Sequence, residues 1–257
     1  MKIIRYQGAN GPEFGMYDDP ADVKTATGSI ADGFTAGESV GSLDSLQLLA
    51  PLEPGKIMAI GLNYVDHVTE LDASRVVPES PVIFMKPTSA VIGPGEEIRL
   101  VNPENPTHYE AEICLVIGKT ATDVEEADAL DYVFGYTCGN DVSDRIIQKG
   151  NGQWIRGKGF DSYCPLGPAI ETELDISDVR VKSRLNGEDR QNESTASLIF
   201  SIPFLISHIS KGITLNPGDV IMTGTPHGVG PMKDGDTIEI EVEGIGVLSN
   251  PVVNRYQ

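Results

Sequence analysis

From Lys56 onward the chain is a succession of short β-type runs separated by turn residues, and that pattern restricts its fold more than any other feature. The runs are Lys56 to Ile60, Val82 to Met85, Tyr109 to Ile117, Val133 to Thr137, Val179 to Leu185, Val220 to Thr223 and Thr237 to Val242. Asn186-Gly187 and Asp234-Gly235 are hairpin signals, because these dipeptides tolerate the positive φ of tight turns. Helical patterns are few: Tyr64 to Leu71, Val142 to Lys149, and Ile202 to Ser210, the last opening on Ser201-Ile202-Pro203. Strands that do not alternate evenly with helices do not build a doubly wound sheet. An α+β, mostly β architecture around a large mixed sheet or roll is expected.

Ahead of these runs, the first fifty or so residues are rich in Gly, Asp, Ser and Thr, with apolar runs only at Lys2 to Tyr6 and Leu46 to Leu49. Pro51-Leu52-Glu53-Pro54-Gly55 punctuates the chain before the denser pattern begins. The expected division is a small N-terminal segment, 1–52, and a catalytic domain, 53–257. A chain of 257 residues has enough material for one real core, so two equal domains are not expected.

Acidic residues outnumber basic ones 38 to 19, for a net charge of −19. Nucleic acids and anionic lipids are bound chiefly through Lys and Arg, so neither is an expected partner. Solubility accounts for the acidity, and salt adaptation is the other source of such a composition. No apolar run approaches the roughly 20 residues that span a bilayer. The N-terminus has no secretory pattern, so an unprocessed cytoplasmic protein starting at Met1 is expected. Cys114, Cys138 and Cys164 have no metal-like spacing and read as reduced packing residues. For an anionic substrate the charge has a further consequence: a metal or a buried Lys or Arg must counter the field of the molecule.

Several stretches carry residues suited to chemistry. In Tyr109-Glu110-Ala111-Glu112-Ile113-Cys114, strand geometry turns Glu110 and Glu112 to the same side as Cys114 and Val116. Two like charges on an apolar strand call for a cation, and oxygen donors suit Mg²⁺, Mn²⁺ or Ca²⁺ rather than zinc. The plain alternative is the wet face of an edge strand. Asp141 follows a strand and precedes a helical pattern, either as an N-cap, with Asp144 as a first-turn charge, or as a third carboxylate of an oxygen shell. His67 and Glu70, three apart, share a helix face, either as a general-base dyad or as a surface pair. Lys158, between two glycines, is either an anion-binding charge or a loop lysine. The loop containing Thr225 could offer hydroxyls and N–H groups to a carboxylate, but its glycine spacing is not that of a nucleotide loop. Gly37-Glu38-Ser39-Val40-Gly41 matches a nucleophile elbow in letters, but it lacks the buried strand before it and the helix after it. His108, His208 and His227 remain as other candidates; His208 reads as a packing or surface residue and His108 as a neighbour of the carboxylates.

In order and content, these blocks resemble the fumarylacetoacetate hydrolase family. The resemblance runs from about residue 55 to 253, through Gly61 to Glu70, Phe84 to Pro87, Tyr109 to Gly118, Gly139 to Gln148, Trp154 to Asp161 and Leu215 to Gly230. It implies a mixed β-sandwich roll, usually homodimeric, with Glu110, Glu112 and Asp141 holding Mg²⁺ or Mn²⁺, and Ca²⁺ able to stand in. It implies that Lys158, Arg145, Gln148 and Thr225 contact the substrate or its enolate, and that His67 and Glu70 form a dyad on a lid. Asp144 stands where relatives commonly carry Ala, an added charge expected near the metal that bears on substrate preference. The implied substrate is a small 2-oxo or 2,4-dioxo (di)carboxylic acid. Hydrolysis of an acylpyruvate or fumarylpyruvate is the first expectation. Oxaloacetate decarboxylation and hydroxyheptadienedioate isomerisation or decarboxylation are the runners-up, and a silent metal-binding scaffold is the non-enzymatic alternative.

Overall fold

The computed structural model describes residues 1–70, 73–74, 76–150 and 152–256. Its largest sheet orders ten strands side by side: Gly33–Gly41, Val23–Ser29, Gly11–Tyr17, Lys2–Gly8, Cys164–Glu171, Val133–Asn140, Ala111–Ile117, Val220–Met222, Ile57–Gly61 and Val82–Lys86. Leu48–Leu49 pairs with the first of these strands in sequence, and Val91–Ile92 joins Cys164–Glu171. Val220–Met222 runs parallel to Ile57–Gly61 while its other neighbour is antiparallel, so the sheet is mixed, as expected. A second sheet orders Glu188–Ser194, Arg180–Leu185, Thr237–Val242, Gly246–Asn254 and Ile98–Leu100. A small third sheet joins Ser143–Asp144, Thr107–Tyr109 and Gly230–Met232. No helix is long and apolar enough to cross a membrane among the described residues.

Period-two alternation explains where the cores lie. Ala111, Ile113, Leu115 and Ile117 face a core shared with Val181, Ile238, Ile240, Val242 and Leu248 of the second sheet, closed by Ile202, Leu205, Ile206 and Ile209. Cys114 and Val116 face the opposite core, with Ile57, Ala59, Cys164, Leu166 and Met222. All seven residues of Ala111–Ile117 are buried, which excludes the wet edge-strand reading. The three cysteines are buried and free. Burial pushes the Cys138 and Cys164 thiols up to about 12, consistent with packing roles.

The N-terminal strands form an antiparallel meander attached to Cys164–Glu171 through Lys2–Gly8. Ile3 and Met16 share the core of Ile57 and Cys114, so this segment is built into the main sheet.

Helices α1 (Val65–Glu70), α2 (Arg145–Gly150), α3 (Ile155–Lys158) and α4 (Ile202–Ser210) are short. The α4 limits match the sequence pattern, and Ser201 caps it by accepting from the Phe204 N–H. Of the stretch Tyr64 to Leu71, Leu71 lies outside the described residues. The other boundaries shift for tertiary reasons. The run Tyr109 to Ile117 is broken at Glu110, where the chain passes from the small sheet to the large one. The helix expected from Val142 begins only at Arg145, because Ser143 and Asp144 pair with His108 and Thr107. Asn186-Gly187 makes a hairpin between Arg180–Leu185 and Glu188–Ser194, with φ of 55° and 80°. Asp234-Gly235 makes a turn but not a hairpin, since the strands around it belong to different sheets.

Candidate active site

The sheet switch at Glu110 builds the centre of the site. Glu110 lies outside both strands, and its N–H is taken by the Asn140 side chain at 2.9 Å, while its carbonyl accepts the Asp141 N–H at 2.9 Å. Those bonds bring together two segments 30 residues apart. Ligand atoms of Glu110, Glu112 and Asp141 all lie within 4.8 Å of one another, and all three residues are buried.

Three cations surround this triad. Lys158 donates to Glu110 Oε2 at 2.8 Å, Asp141 Oδ2 at 2.5 Å and Ser143 Oγ at 2.7 Å. Lys86 donates to Asp141 Oδ1 at 2.5 Å, and Arg145 Nη1 lies 2.6 Å from Glu110 Oε1. Lys158 is therefore a buried partner of the triad rather than a loop lysine. Its flanking glycines have a steric cause. A Cβ on Gly157 would lie 2.7 Å from the Gln148 backbone nitrogen, and one on Gly159 would lie 2.6 Å from Pro87.

Charge is distributed unevenly among the carboxylates. Burial alone would push Glu110 up, but the Lys158 ammonium and the Arg145 guanidinium hold it well below the usual range. Burial opposes the Lys158 charge, yet Asp141 and Glu110 raise its pKa above the ordinary value. Glu112 is pushed well up, by burial first and then by the charges of Asp141 and Glu110. Its described hydrogen-bond donor is the Gly224 N–H, at 2.7 Å, and no cation pairs with it among the described residues. The three carboxylates thus fit a hard divalent cation in donor chemistry, and Glu112 in particular lacks a compensating charge.

The second wall carries the dyad. Asn63 donates to the Thr223 carbonyl at 2.8 Å and the Phe200 carbonyl at 3.1 Å, anchoring the turn that starts α1. On α1, His67 Nδ1 lies 2.8 Å from Glu70 Oε2, and Glu70 Oε1 accepts the Gly228 N–H at 2.7 Å. Burial works against the Glu70 charge, but the bonds from His67 and Gly228 bring its pKa below the ordinary value. An ionised Glu70 accepts from Nδ1–H, which leaves Nε2 as the basic nitrogen of His67.

Both walls enclose a cavity of about 220 Å³ whose lining includes His67, Glu110, Arg145, Gln148, Lys158 and Thr225. That volume suits a small metabolite better than a drug-sized ligand of several hundred Å³. Thr225 lines it, but its hydroxyl already donates to the Ala111 carbonyl at 2.9 Å and accepts from Gln191 at 2.8 Å.

Asp144 behaves differently from the expectation of an added charge near the metal. Its carboxylate accepts from Asn102, from Asn105 and from the N–H groups of Ile146 and Ile147, so it caps α2. The capping role considered for Asp141 thus falls to Asp144. His108 is held neutral, its pKa lowered to about 4 by burial and the Arg145 charge. His208 is exposed and stacks on Phe204, and His227 is exposed. Two buried partners were not among the candidate site residues. Lys86 ends an apolar strand, and Gln191 lies in an otherwise polar hairpin strand while bonding Ala111, Ser183, Thr225 and Pro226.

Comparison with known proteins places the chain in a family. The family described as Fumarylacetoacetate (FAA) hydrolase C-terminal matches residues 56–253. The mitochondrial oxaloacetate tautomerase fahd2 of Xenopus laevis is 42% identical over 243 residues, covering 90% of this chain and 76% of that protein. The structure of 2-hydroxyhepta-2,4-diene-1,7-dioate isomerase from Mycobacterium marinum aligns with a TM-score of 0.90 at 39% identity, over 100% of both chains. Maleylpyruvate hydrolase from Sphingobium sp. SYK-6, solved with manganese(II) and pyruvate, aligns with a TM-score of 0.83 at 30% identity over 99% of both chains.

Proposed function

The chain belongs to the fumarylacetoacetate hydrolase family, and from that premise we propose that it catalyses proton transfer at the enol of a small 2-oxo acid, interconverting keto and enol forms or double-bond isomers. The observation that carries this reading is the placement of His67, oriented by Glu70, in the same cavity as Glu110, Arg145 and Lys158. The names of two relatives, an oxaloacetate tautomerase and a hydroxyheptadienedioate isomerase, support it.

Glu110, Glu112 and Asp141 would hold Mg²⁺ or Mn²⁺. When bound, such an ion supplies the Lewis acidity that steadies negative charge on an enolate. His67 Nε2 takes a proton from the carbon beside the 2-oxo group and returns it to oxygen or to the far carbon of the conjugated system. Glu70 keeps the imidazole in the required tautomer and favours the imidazolium that forms. Lys158 holds positive charge beside Glu110 and Asp141, where the enolate develops. Arg145 and Gln148 orient the acid from one face of α2.

Hydrolysis of an acylpyruvate is the second reading, favoured by the resemblance to the Sphingobium hydrolase. His67 would then deprotonate water. One experiment separates the two: freshly dissolved enol-oxaloacetate, acetylpyruvate and fumarylpyruvate are offered with Mg²⁺ while enol absorbance and pyruvate are followed. Faster enol decay without pyruvate release supports the tautomerase reading. Pyruvate from the acylpyruvates, with enol-oxaloacetate decaying at the uncatalysed rate, transfers the assignment to a hydrolase. Pyruvate from oxaloacetate alone indicates a decarboxylase, and no turnover of these acids or of 2-hydroxyhepta-2,4-diene-1,7-dioate leaves the scaffold. We propose further that the protein acts as a homodimer, a state that sedimentation at micromolar concentration tests directly.

A further inference from the structure

Arg145, Gln148 and Lys149 occupy positions i, i+3 and i+4 of α2, and all three line the cavity. The cations there differ in how fully they are engaged. Lys158 is buried and bonded to Glu110, Asp141 and Ser143. Arg145 is buried with Nη1 against Glu110 and Gln148, and its Nε and Nη2 have no hydrogen-bond partner among the described residues. Lys149, one turn further on, is exposed and forms neither an ion pair nor a hydrogen bond among the described residues. Four residues of helix separate Lys149 from Arg145 by about 6 Å along the axis, a span that a short dicarboxylic acid bridges.

We infer that Lys149 is a specificity-determining residue that receives the second carboxylate of a dicarboxylic 2-oxo acid whose 2-oxo end lies against the carboxylate triad. The inference rests on the 2-oxo acid reading above. In a chain with 38 acidic and 19 basic residues, an anion approaching the cavity meets a repulsive background, and an unpaired ammonium at its wall offsets that locally. Asp144 contributes indirectly, since its bonds to the Ile146 and Ile147 N–H groups set the helix that turns Lys149 to the cavity.

The test is calorimetric binding to the Mg²⁺-supplemented protein of 2-oxoglutarate and 2-oxopentanoate, which have equal carbon number and differ at the far end in carboxylate against methyl. The wild-type protein should prefer the diacid by about five-fold, the upper range for an exposed ion pair. That preference should fall to parity in Lys149→Gln, persist in Lys149→Arg, and shrink with added salt in the wild type, as screening requires. A merely structural role for Lys149 would weaken both acids alike and leave their ratio unmoved. An unchanged ratio in Lys149→Gln overturns the inference while leaving the functional reading in place. Failure of the wild type to bind either acid overturns the functional reading, and the inference with it.

Discussion

Two strands of the large sheet carry the motifs that most invite a catalytic reading, and they have opposite surroundings. Gly33–Gly41 holds Gly37-Glu38-Ser39-Val40-Gly41 at the end of the sheet, exposed from Thr35 through Ser39. Ala111–Ile117 holds Glu112 in the interior, flanked by Val133–Asn140 and Val220–Met222 and buried throughout. Ser39 is exposed and bonds no base among the described residues, so it remains an ordinary alcohol. A buried glutamate beside two other carboxylates is a high-energy arrangement that a cation relieves. Chemistry follows from burial and convergence, and a motif matters only where the fold supplies both.

The sharpest way to break that comparison is Glu112→Gln. Activity should fall by about 10³-fold, the several kcal/mol expected of a lost metal ligand, and added Mg²⁺ should not restore it. The same variant has a pH signature in chelator. Because the folded-state pKa of Glu112 is raised, its contribution to stability is intact below the ordinary carboxylate range and is lost as pH rises through the raised value. Thermal unfolding should therefore show the wild type losing stability relative to Glu112→Gln as pH increases, and Mg²⁺ should recover more of the wild type's stability at the higher pH. Parallel curves for the two proteins would mean that Glu112 carries no uncompensated charge.

His67→Ala comes next. Losing the acid–base group should lower kcat by about 10²-fold while calorimetric Mg²⁺ affinity stays unchanged, since His67 is not among the three carboxylates. An unaltered kcat would remove the dyad from the mechanism. Gly228→Ala probes how the dyad is held. Gly228 has φ of 99°, and a Cβ there would lie 2.4 Å from the Arg190 carbonyl oxygen, so the loop must shift at a cost of about 1–3 kcal/mol. Its N–H then leaves Glu70, and kcat should drop about tenfold, typical of losing an outer hydrogen bond to a catalytic group. A lower Tm with kcat intact would show that Glu70 does not need this bond.

The same contrast explains what could be read from the chain in advance. Thr237–Val242 and α4 have the expected limits because their local periodicity is unopposed by tertiary pairing. The grouping of Glu110, Glu112 and Asp141 was legible because strand geometry and family resemblance point to the same residues. Non-local pairing hid the rest. Ser143 and Asp144 delay α2 by pairing with a strand more than thirty residues earlier, and the sheet switch at Glu110 depends on Asn140. Gln191 reaches the carboxylate strand from a hairpin strand whose sequence looks like surface. Lys86 lies in the block Phe84 to Pro87, but only the fold sets its ammonium on Asp141.

The smallest expected effect is the most direct check on the comparison. Ser39→Ala alters an exposed residue on the outermost strand, where Ser39 pairs with Lys24. It lies outside the cavity of His67 and Glu110, and its side chain is exposed. Both kcat and Tm should stay within error, with any stability change inside about 0.5 kcal/mol, as for surface substitutions generally. A tenfold fall in turnover of any ester or dioxo acid would give the elbow-like letters a function and show that burial is not what separates the two strands. A null result, set against the loss in Glu112→Gln, leaves placement in the sheet as the difference between a motif that works and one that only matches.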